Sequence, residues 1–170
     1  MKSVYLSIGS NINNPIKQII NAIINIKNIP YSKIIDISTI YYSKPYKSIK
    51  KQKNYLNAVI LIKTKLNPYK ILHYINKIEK KQGRIRTKFK WDSRSIDIDI
   101  ILFENFTINN KKLTIPHYDM KNRSFVITPI LEINSNIKTP EGESIHLISK
   151  KLSKKNIYPY FCLLKNNYFK

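Results

Sequence analysis

Asp97 and Asp99 stand two residues apart in the run Arg94-Ser95-Ile96-Asp97-Ile98-Asp99-Ile100-Ile101-Leu102-Phe103, which alternates at first and then turns wholly apolar. That pattern predicts a β-strand. Alternation puts both carboxylates on one face, about 6.6 Å apart along the strand from two rises of roughly 3.3 Å. Two carboxylates so placed, with Arg94 three residues upstream, can hold hard cations against a polyphosphate. Mg²⁺ takes one or two carboxylates and leaves its other positions to water and phosphate oxygens. A pair of such ions clamps the attacking and leaving oxygens of a phosphoryl transfer. The bland alternative is a half-exposed strand whose solvent face carries two aspartates, and the rest of the chain decides between them.

Arg84, Arg86 and Arg94 bracket the loop that leads into this strand, in a chain otherwise dominated by lysine. A guanidinium offers phosphate a planar fork, where lysine offers a point charge. A second basic and aromatic cluster follows at Pro116-His117-Tyr118-Asp119-Met120-Lys121-Asn122-Arg123-Ser124-Phe125, while His73 and His146 look structural. Tyr55-Leu56-Asn57 puts an aromatic ring and an amide on one strand face, suited to a flat heterocycle. The glycines are Gly9, Gly83 and Gly142, and none forms a phosphate-cradling Gly-rich loop. A bound nucleotide must therefore be held by charged side chains and metal.

The elements that must position these residues are legible from periodicity. Residues 3–8 read as a first strand, and Asn13-Asn14-Pro15 opens a helix running to about Asn28. A second strand spans Lys33 to Ser43 and a third Tyr55 to Lys65, with a polar lysine-rich loop from Lys44 to Lys53 between them. Asn67-Pro68 opens a second helix that Gly83 ends. The basic loop Arg84–Arg94 then leads to the Asp-bearing strand. This order, strand-helix-strand-strand-helix-strand, predicts an α+β fold with a ferredoxin-like βαββαβ core, a four-stranded antiparallel sheet with helices on one face. A hairpin over 106–118 turning at Asn109-Asn110, a helix near 124–133 and a turn at Thr139–Gly142 complete it.

At 170 residues the chain reads as one domain with a sizeable core. Its single cysteine, Cys162, allows no internal disulfide and fits a reducing compartment. No apolar run is long enough to span a membrane, and the expected setting is the cytoplasm. The formal net charge of +21 suggests nucleic acid. The lysines, however, are scattered through every segment, with Ile and Asn over-used alongside them as in chains from AT-rich genomes. Nucleic-acid binding is therefore not expected, although an anionic substrate gains from the field.

The chain resembles the 6-hydroxymethyl-7,8-dihydropterin pyrophosphokinases of folate biosynthesis. The resemblance runs through Leu6–Asn11, Tyr55–Asn57, Ile78–Arg86, Trp91, Arg94–Ile101, Pro116–Phe125 and Pro129–Ile133, in the family's order, and covers about residues 3–145. It implies magnesium-dependent transfer of pyrophosphate from ATP to the pterin hydroxymethyl group, leaving AMP. By position it implies that Asp97 and Asp99 ligate two Mg²⁺ and that Arg84 and Arg94 act on the triphosphate. His117, Tyr118 and Arg123 would hold phosphates or ribose, with Glu79 and Ile100 on the nucleotide side. Tyr55 and Phe125 would sandwich the pterin and Asn57 would bond its edge. Ser43, Pro45, Tyr46 and Trp91 would complete that pocket. The two polar loops are suited to closing over it. The chain departs from the family's pattern at Lys44, often proline, at Lys90, commonly arginine, and at Asp92-Ser93, usually a Gly-Pro-like pair.

Two other readings stand beside this one. An RNA-binding sheet would need aromatics on its central strands, and neither Val4–Ile8 nor Ile96–Phe103 carries them in that pattern. A metal-dependent nucleotidyl transferase on a similar sheet shares the carboxylates and differs in its products. A monomer acting on small molecules, with residues 153–170 as a tail of no assigned role, is the expected whole.

Overall fold

The computed structural model describes residues 1–47, 51–85, 92–153 and 156–161. Strand β1 (Lys2–Ser10) leads into helix α1 (Pro15–Lys27). That helix starts where Asn14 Oδ1 accepts the Lys17 N–H at 3.3 Å, with Pro15 pre-set for the first turn. Strands β2 (Ser32–Ile37), β3 (Ile40–Ser43) and β4 (Tyr55–Thr64) follow, and helix α2 (Pro68–Lys81) repeats the same capping device. There Asn67 Oδ1 accepts from Lys70 N at 2.9 Å. Helix α2 ends in a Schellman turn on Gly83, whose φ of +73° suits a residue without a β-carbon. Gly83 N–H donates to Lys80 O at 3.1 Å and Arg84 N–H to Glu79 O at 3.0 Å. This turn folds Arg84 back toward Glu79.

Strand β5 (Asp97–Phe103) lies at one edge of the sheet. With β8 (Ile157–Phe161) included, the order is β5-β1-β4-β3-β8, β2 also pairs with β4, and all these pairings are antiparallel. The predicted single strand over Lys33–Ser43 is thus two. Ser38 interrupts it, donating its N–H to Val59 O and accepting the Val59 N–H on its hydroxyl, each at 2.9 Å. Glu132 binds the Thr39 N–H at 2.9 Å and its hydroxyl at 2.7 Å. These polar residues find partners outside the ladder, which alternation alone does not reveal. Strand β8 falls in the tail and lengthens the sheet beyond the predicted four strands.

The two early helices share one sheet face, as the periodicity predicts. Ile19, Ile23 and Ile26 of α1 and Ile71, Ile75 and Ile78 of α2 bury against Leu6, Ile8, Ile60, Ile98 and Ile100. Each fully buried Ile of this kind contributes about 1.5–3 kcal/mol. The opposite face is not bare. A hairpin, β6 (Ile108–Asn109) and β7 (Thr114–Ile115), and a single turn over Met120–Asn122 lead to α3 (Ser124–Ile133) and α4 (Ile145–Lys150). Val126, Ile127, Ile130, Ile145 and Ile148 then pack on Tyr5, Val59, Ile101 and Leu102. Helices therefore lie on both faces, and the expectation of one covered face is corrected.

Candidate active site

The face under α3 changes character along the strands. Its lower half is apolar: Tyr5, Val59 and Ile101 lie beneath α3 and α4. Alternation from those residues puts Ser7 and Gly9 of β1, Asn57 and Tyr55 of β4, and Asp99 and Asp97 of β5 on the upper half. The sheet register sets Gly9 opposite both Asn57 and Asp97, and Ser7 opposite Asp99. The strands run past the helix that covers them and leave a cleft of about 590 Å³, part of it open to solvent, floored by these polar residues. Helix α3 begins at its rim, so Arg123 and Phe125 overhang the floor.

Arginines close on the two aspartates. Arg84 Nη1 and Arg94 Nη1 each lie 2.6 Å from Asp97, on Oδ1 and Oδ2 respectively. Arg123 Nη1 donates to Asp99 Oδ2 at 3.0 Å, and His117 Nε2 lies 3.6 Å from the same oxygen. Burial and the neighbouring Asp97 charge push the Asp99 carboxyl upward, against His117 and Arg123. Burial pulls the His117 imidazole downward, although Asp99 opposes it. Burial would also lower Arg94, but Asp97 and Tyr55 hold it above its usual value. Asn11 fixes the Arg94 backbone, accepting its N–H at 2.9 Å. Asn11 also donates to Gln52 Oε1 and Lys53 O, each at 3.0 Å.

Glu79, 3% exposed and in the last turn of α2, meets the outer edge of β5, where Oε1 accepts the Ile98 N–H at 2.9 Å and pairs with Arg84. Burial raises its pKa from 4.5 to about 7, with Arg84 pulling the other way. The folded protein therefore binds this proton more tightly than the unfolded chain does. Stability on this account falls as pH rises from 4.5 to 7, and the full penalty applies above 7. Glu79→Gln should flatten that slope and stabilise the ligand-free protein most at alkaline pH. Chemical unfolding of both proteins across that range checks it, and an unchanged slope contradicts it.

The other wall is aromatic and amide. Tyr55 donates its hydroxyl to Asp92 O at 3.0 Å and Gln52 Oε1 at 3.2 Å, and burial raises its pKa. Tyr46 meets Phe125 edge-on, with ring centroids 5.8 Å apart. Asn57 donates to Ser43 Oγ at 2.8 Å, and Lys44 also lines the cleft. At Asp92-Ser93, where the resemblance has a smaller pair, the Asp92 backbone carbonyl accepts from the Tyr55 hydroxyl and from Arg94 Nε (3.1 Å). Tyr118 stacks on His117 at 4.6 Å and is largely exposed. Pro45 sits between the cleft residues Lys44 and Tyr46.

The span that carries this geometry also matches known proteins. The family model for 7,8-dihydro-6-hydroxymethylpterin-pyrophosphokinase (HPPK) matches residues 5–135, which include both aspartates and Arg84, Arg94 and Arg123. The chain belongs to this family. The 2-amino-4-hydroxy-6-hydroxymethyldihydropteridine pyrophosphokinase of Haemophilus influenzae is 40% identical over 153 residues, 90% of this chain and 94% of that one. The Aquifex aeolicus protein of the same name is 38% identical over 170 residues, 97% of this chain and 99% of its own length. Among solved structures, an HPPK-DHPS in complex with substrates superposes with a TM-score of 0.73 at 15% identity, covering 95% of this chain and 47% of that one. Plasmodium falciparum HPPK-DHPS gives 0.66 at 18% identity, covering 89% and 43%. The chain thus spans about half the length of these solved structures, which at such identities speak to the fold alone.

Of the residues that the HPPK resemblance singles out, the structure gathers Ser43, Tyr46, Tyr55, Asn57, Arg94, Asp97, Asp99, Arg123 and Phe125 in one cleft. Arg84, Glu79 and His117 border it through ion pairs and hydrogen bonds. The side chain of Ile100 packs in the core under α1 and α2. Trp91, with Arg86 and Lys90, lies outside the described residues. Sequence reasoning missed Ser7, Gly9, Asn11 and Asp119 as site members. A signal existed for Gly9, since a glycine inside an otherwise regular strand marks a close approach. A β-carbon there would sit 2.7 Å from Asn57 Oδ1. Gly9→Ala should therefore displace the Asn57 amide from Ser43 Oγ and destabilise the protein by about 1–3 kcal/mol, the cost of leaving a buried polar group unpaired. Chemical unfolding checks it, and an unchanged midpoint would contradict this local account.

Proposed function

We propose that this protein transfers pyrophosphate from ATP to the hydroxymethyl oxygen of 6-hydroxymethyl-7,8-dihydropterin, releasing AMP, with Mg²⁺ as the metal. The observation that carries the reading is the cleft floor: two strand-borne carboxylates ringed by Arg84, Arg94 and Arg123, facing a wall of Tyr55, Asn57 and Phe125. The relatives' names give the same reaction class.

The donor set fits magnesium. Among the described residues no three His, Cys, Asp or Glu side chains form a metal cage. Two carboxylates suffice for an ion that keeps its remaining positions for phosphate and water. Asp99 is held upward in pKa by burial and by Asp97, a repulsion that a divalent cation relieves. Asp97 and Asp99 would hold two Mg²⁺, which supply neutralisation of the β- and γ-phosphate charge when bound.

The chain's own residues would do the rest. Arg84 and Arg94 would turn from Asp97 to the triphosphate as charge develops, and His117, Tyr118 and Arg123 would hold phosphate or ribose. Glu79 would border the nucleotide. Tyr55 and Phe125 would enclose the pterin ring, with Asn57 on its edge and Ser43, Pro45, Tyr46 and Trp91 around it. The hydroxymethyl oxygen bonds to the β-phosphorus as the bridge from the α-phosphate breaks, and AMP leaves with that bridging oxygen. The hydroxyl proton departs late to solvent. Placement and charge stabilisation carry such a transfer, without a covalent intermediate.

We read residues 1–170 as one domain on a ferredoxin-like core, supported by the strand order β5-β1-β4 followed by β2 and β3. We further read it as a cytoplasmic monomer that takes small molecules and no nucleic acid. Among the described residues no helix is long and apolar enough to cross a membrane. Incubation with ATP, Mg²⁺ and the reduced pterin should yield AMP, and omitting the pterin or chelating the metal should abolish it. ADP as the nucleotide product would overturn the reading.

A further inference from the structure

The roles above leave one buried carboxylate unused. Asp119 is 5% exposed, and donors from two sides of the cleft converge on it. Its Oδ2 accepts from Arg123 Nε at 3.3 Å. Its Oδ1 accepts from Asn122 Nδ2 at 2.9 Å and from the Tyr46 hydroxyl at 3.4 Å, with Lys47 Nζ 3.7 Å away. Its backbone N–H donates to His117 Nδ1 at 3.2 Å. A neutral His117 therefore carries its proton on Nε2, the nitrogen that faces Asp99.

Arg123 is shared between carboxylates: Nε goes to Asp119 and Nη1 to Asp99, at 3.0 Å. The same guanidinium carbon lies 5.9 Å from both the Tyr46 and Phe125 ring centroids. Without Asp119, Arg123 is free to turn its whole fork onto Asp99, the bidentate geometry that guanidinium and carboxylate favour. That would neutralise the oxygen the cation needs. With Asp119 in place, the fork is held sideways and one nitrogen remains for phosphate. Tyr46 bonds to the same carboxylate, so a ring seated against Tyr46 and Phe125 bears on the anchor that sets Arg123.

We propose that Asp119 is a positioning residue that couples the two halves of the cleft, holding Arg123 for the phosphate side and linking it through the Tyr46 hydroxyl to the aromatic wall. This rests on reading the cleft as a joint pterin and ATP site. The consequence is reciprocal: each ligand tightens the other's binding by the same factor, and such couplings are about 5- to 150-fold.

Two variants test it. Asp119→Asn keeps the side chain's size, and Tyr46→Phe removes only one hydroxyl while keeping the ring. Pterin affinity is measured by calorimetry with and without a non-hydrolysable ATP analogue and Mg²⁺, beside steady-state AMP formation. The wild-type analogue effect should shrink at least about fivefold in both variants, and kcat of Asp119→Asn should fall about 10- to 100-fold, as for residues that orient ligands. A merely structural Asp119 would change the unfolding midpoint and leave the ligand coupling alone. An undiminished analogue effect in Tyr46→Phe overturns the proposal even if Asp119→Asn does not fold. Absence of AMP from the wild type would overturn the functional reading itself, and this inference with it.

Discussion

Asp97→Ala and Asp99→Ala should each reduce AMP formation by more than about 10²-fold, since even residues behind metal ligands cost about 10- to 100-fold when removed. Their effects on stability should differ. Asp97 pairs with Arg84 and Arg94 at 2.6 Å, so its loss leaves two guanidinium groups without that partner. Asp99 is held in a folded state that raises its pKa through burial and Asp97. That state disfavours its charge, and stability on its account falls as pH rises past the ordinary carboxylate value. Asp99→Ala removes that disfavoured charge together with the partner of Arg123 and His117, and should flatten the fall in stability above the ordinary carboxylate range while it removes activity. Sites that hold like charges together trade stability for function in this way. Near-normal AMP formation by both folded variants would remove them from the proposed metal site.

Arg94→Ala should lose roughly 10² or more in kcat, the scale of one electrostatic donor aimed at developing charge. ATP affinity should change less, because an interaction made mainly in the transition state leaves ground-state binding nearly intact. The structure adds a reason for this division. Asn11 fixes the Arg94 backbone, and Asp97 and the Asp92 carbonyl hold its guanidinium before any substrate arrives. Arg94 is thus held beside the carboxylates, where the proposed reaction would need it. Arg94→Lys should recover little, since an ammonium cannot bond Asp97 and Asp92 with separate nitrogens. If affinity collapses and kcat survives, Arg94 is a binding residue only.

The strands and helices that position the site follow from local pattern. The Asn-Pro helix starts at Asn14 and Asn67, the Gly83 stop and the alternation through Asp97 are each encoded within a few residues, and each forms as predicted. The break at Ser38 and the addition of β8 depend on Val59, Glu132 and β3, distant in sequence, and no local period carries them. The covering of the second face was equally hidden, because α3 is apolar enough to pack anywhere. Within the site, residues of distinctive chemistry stood out: the aspartates, the scarce arginines and the paired aromatics. Gly9, Asn11 and Asp119 work through neighbours that only the sheet register and loop packing bring together. Ile100 turns its side chain to the core, as alternation from Asp99 requires, and presents only its backbone along the edge strand.

ATP labelled at the β-phosphorus shows which phosphorus the pterin hydroxyl attacks. With Mg²⁺ and the reduced pterin, transfer of pyrophosphate moves the label onto the pterin in step with unlabelled AMP. Label retained in ADP would mean attack at the γ-phosphorus. Label released as free pyrophosphate, with the adenylate joined to the pterin, would mean attack at the α-phosphorus. Either result would contradict the account.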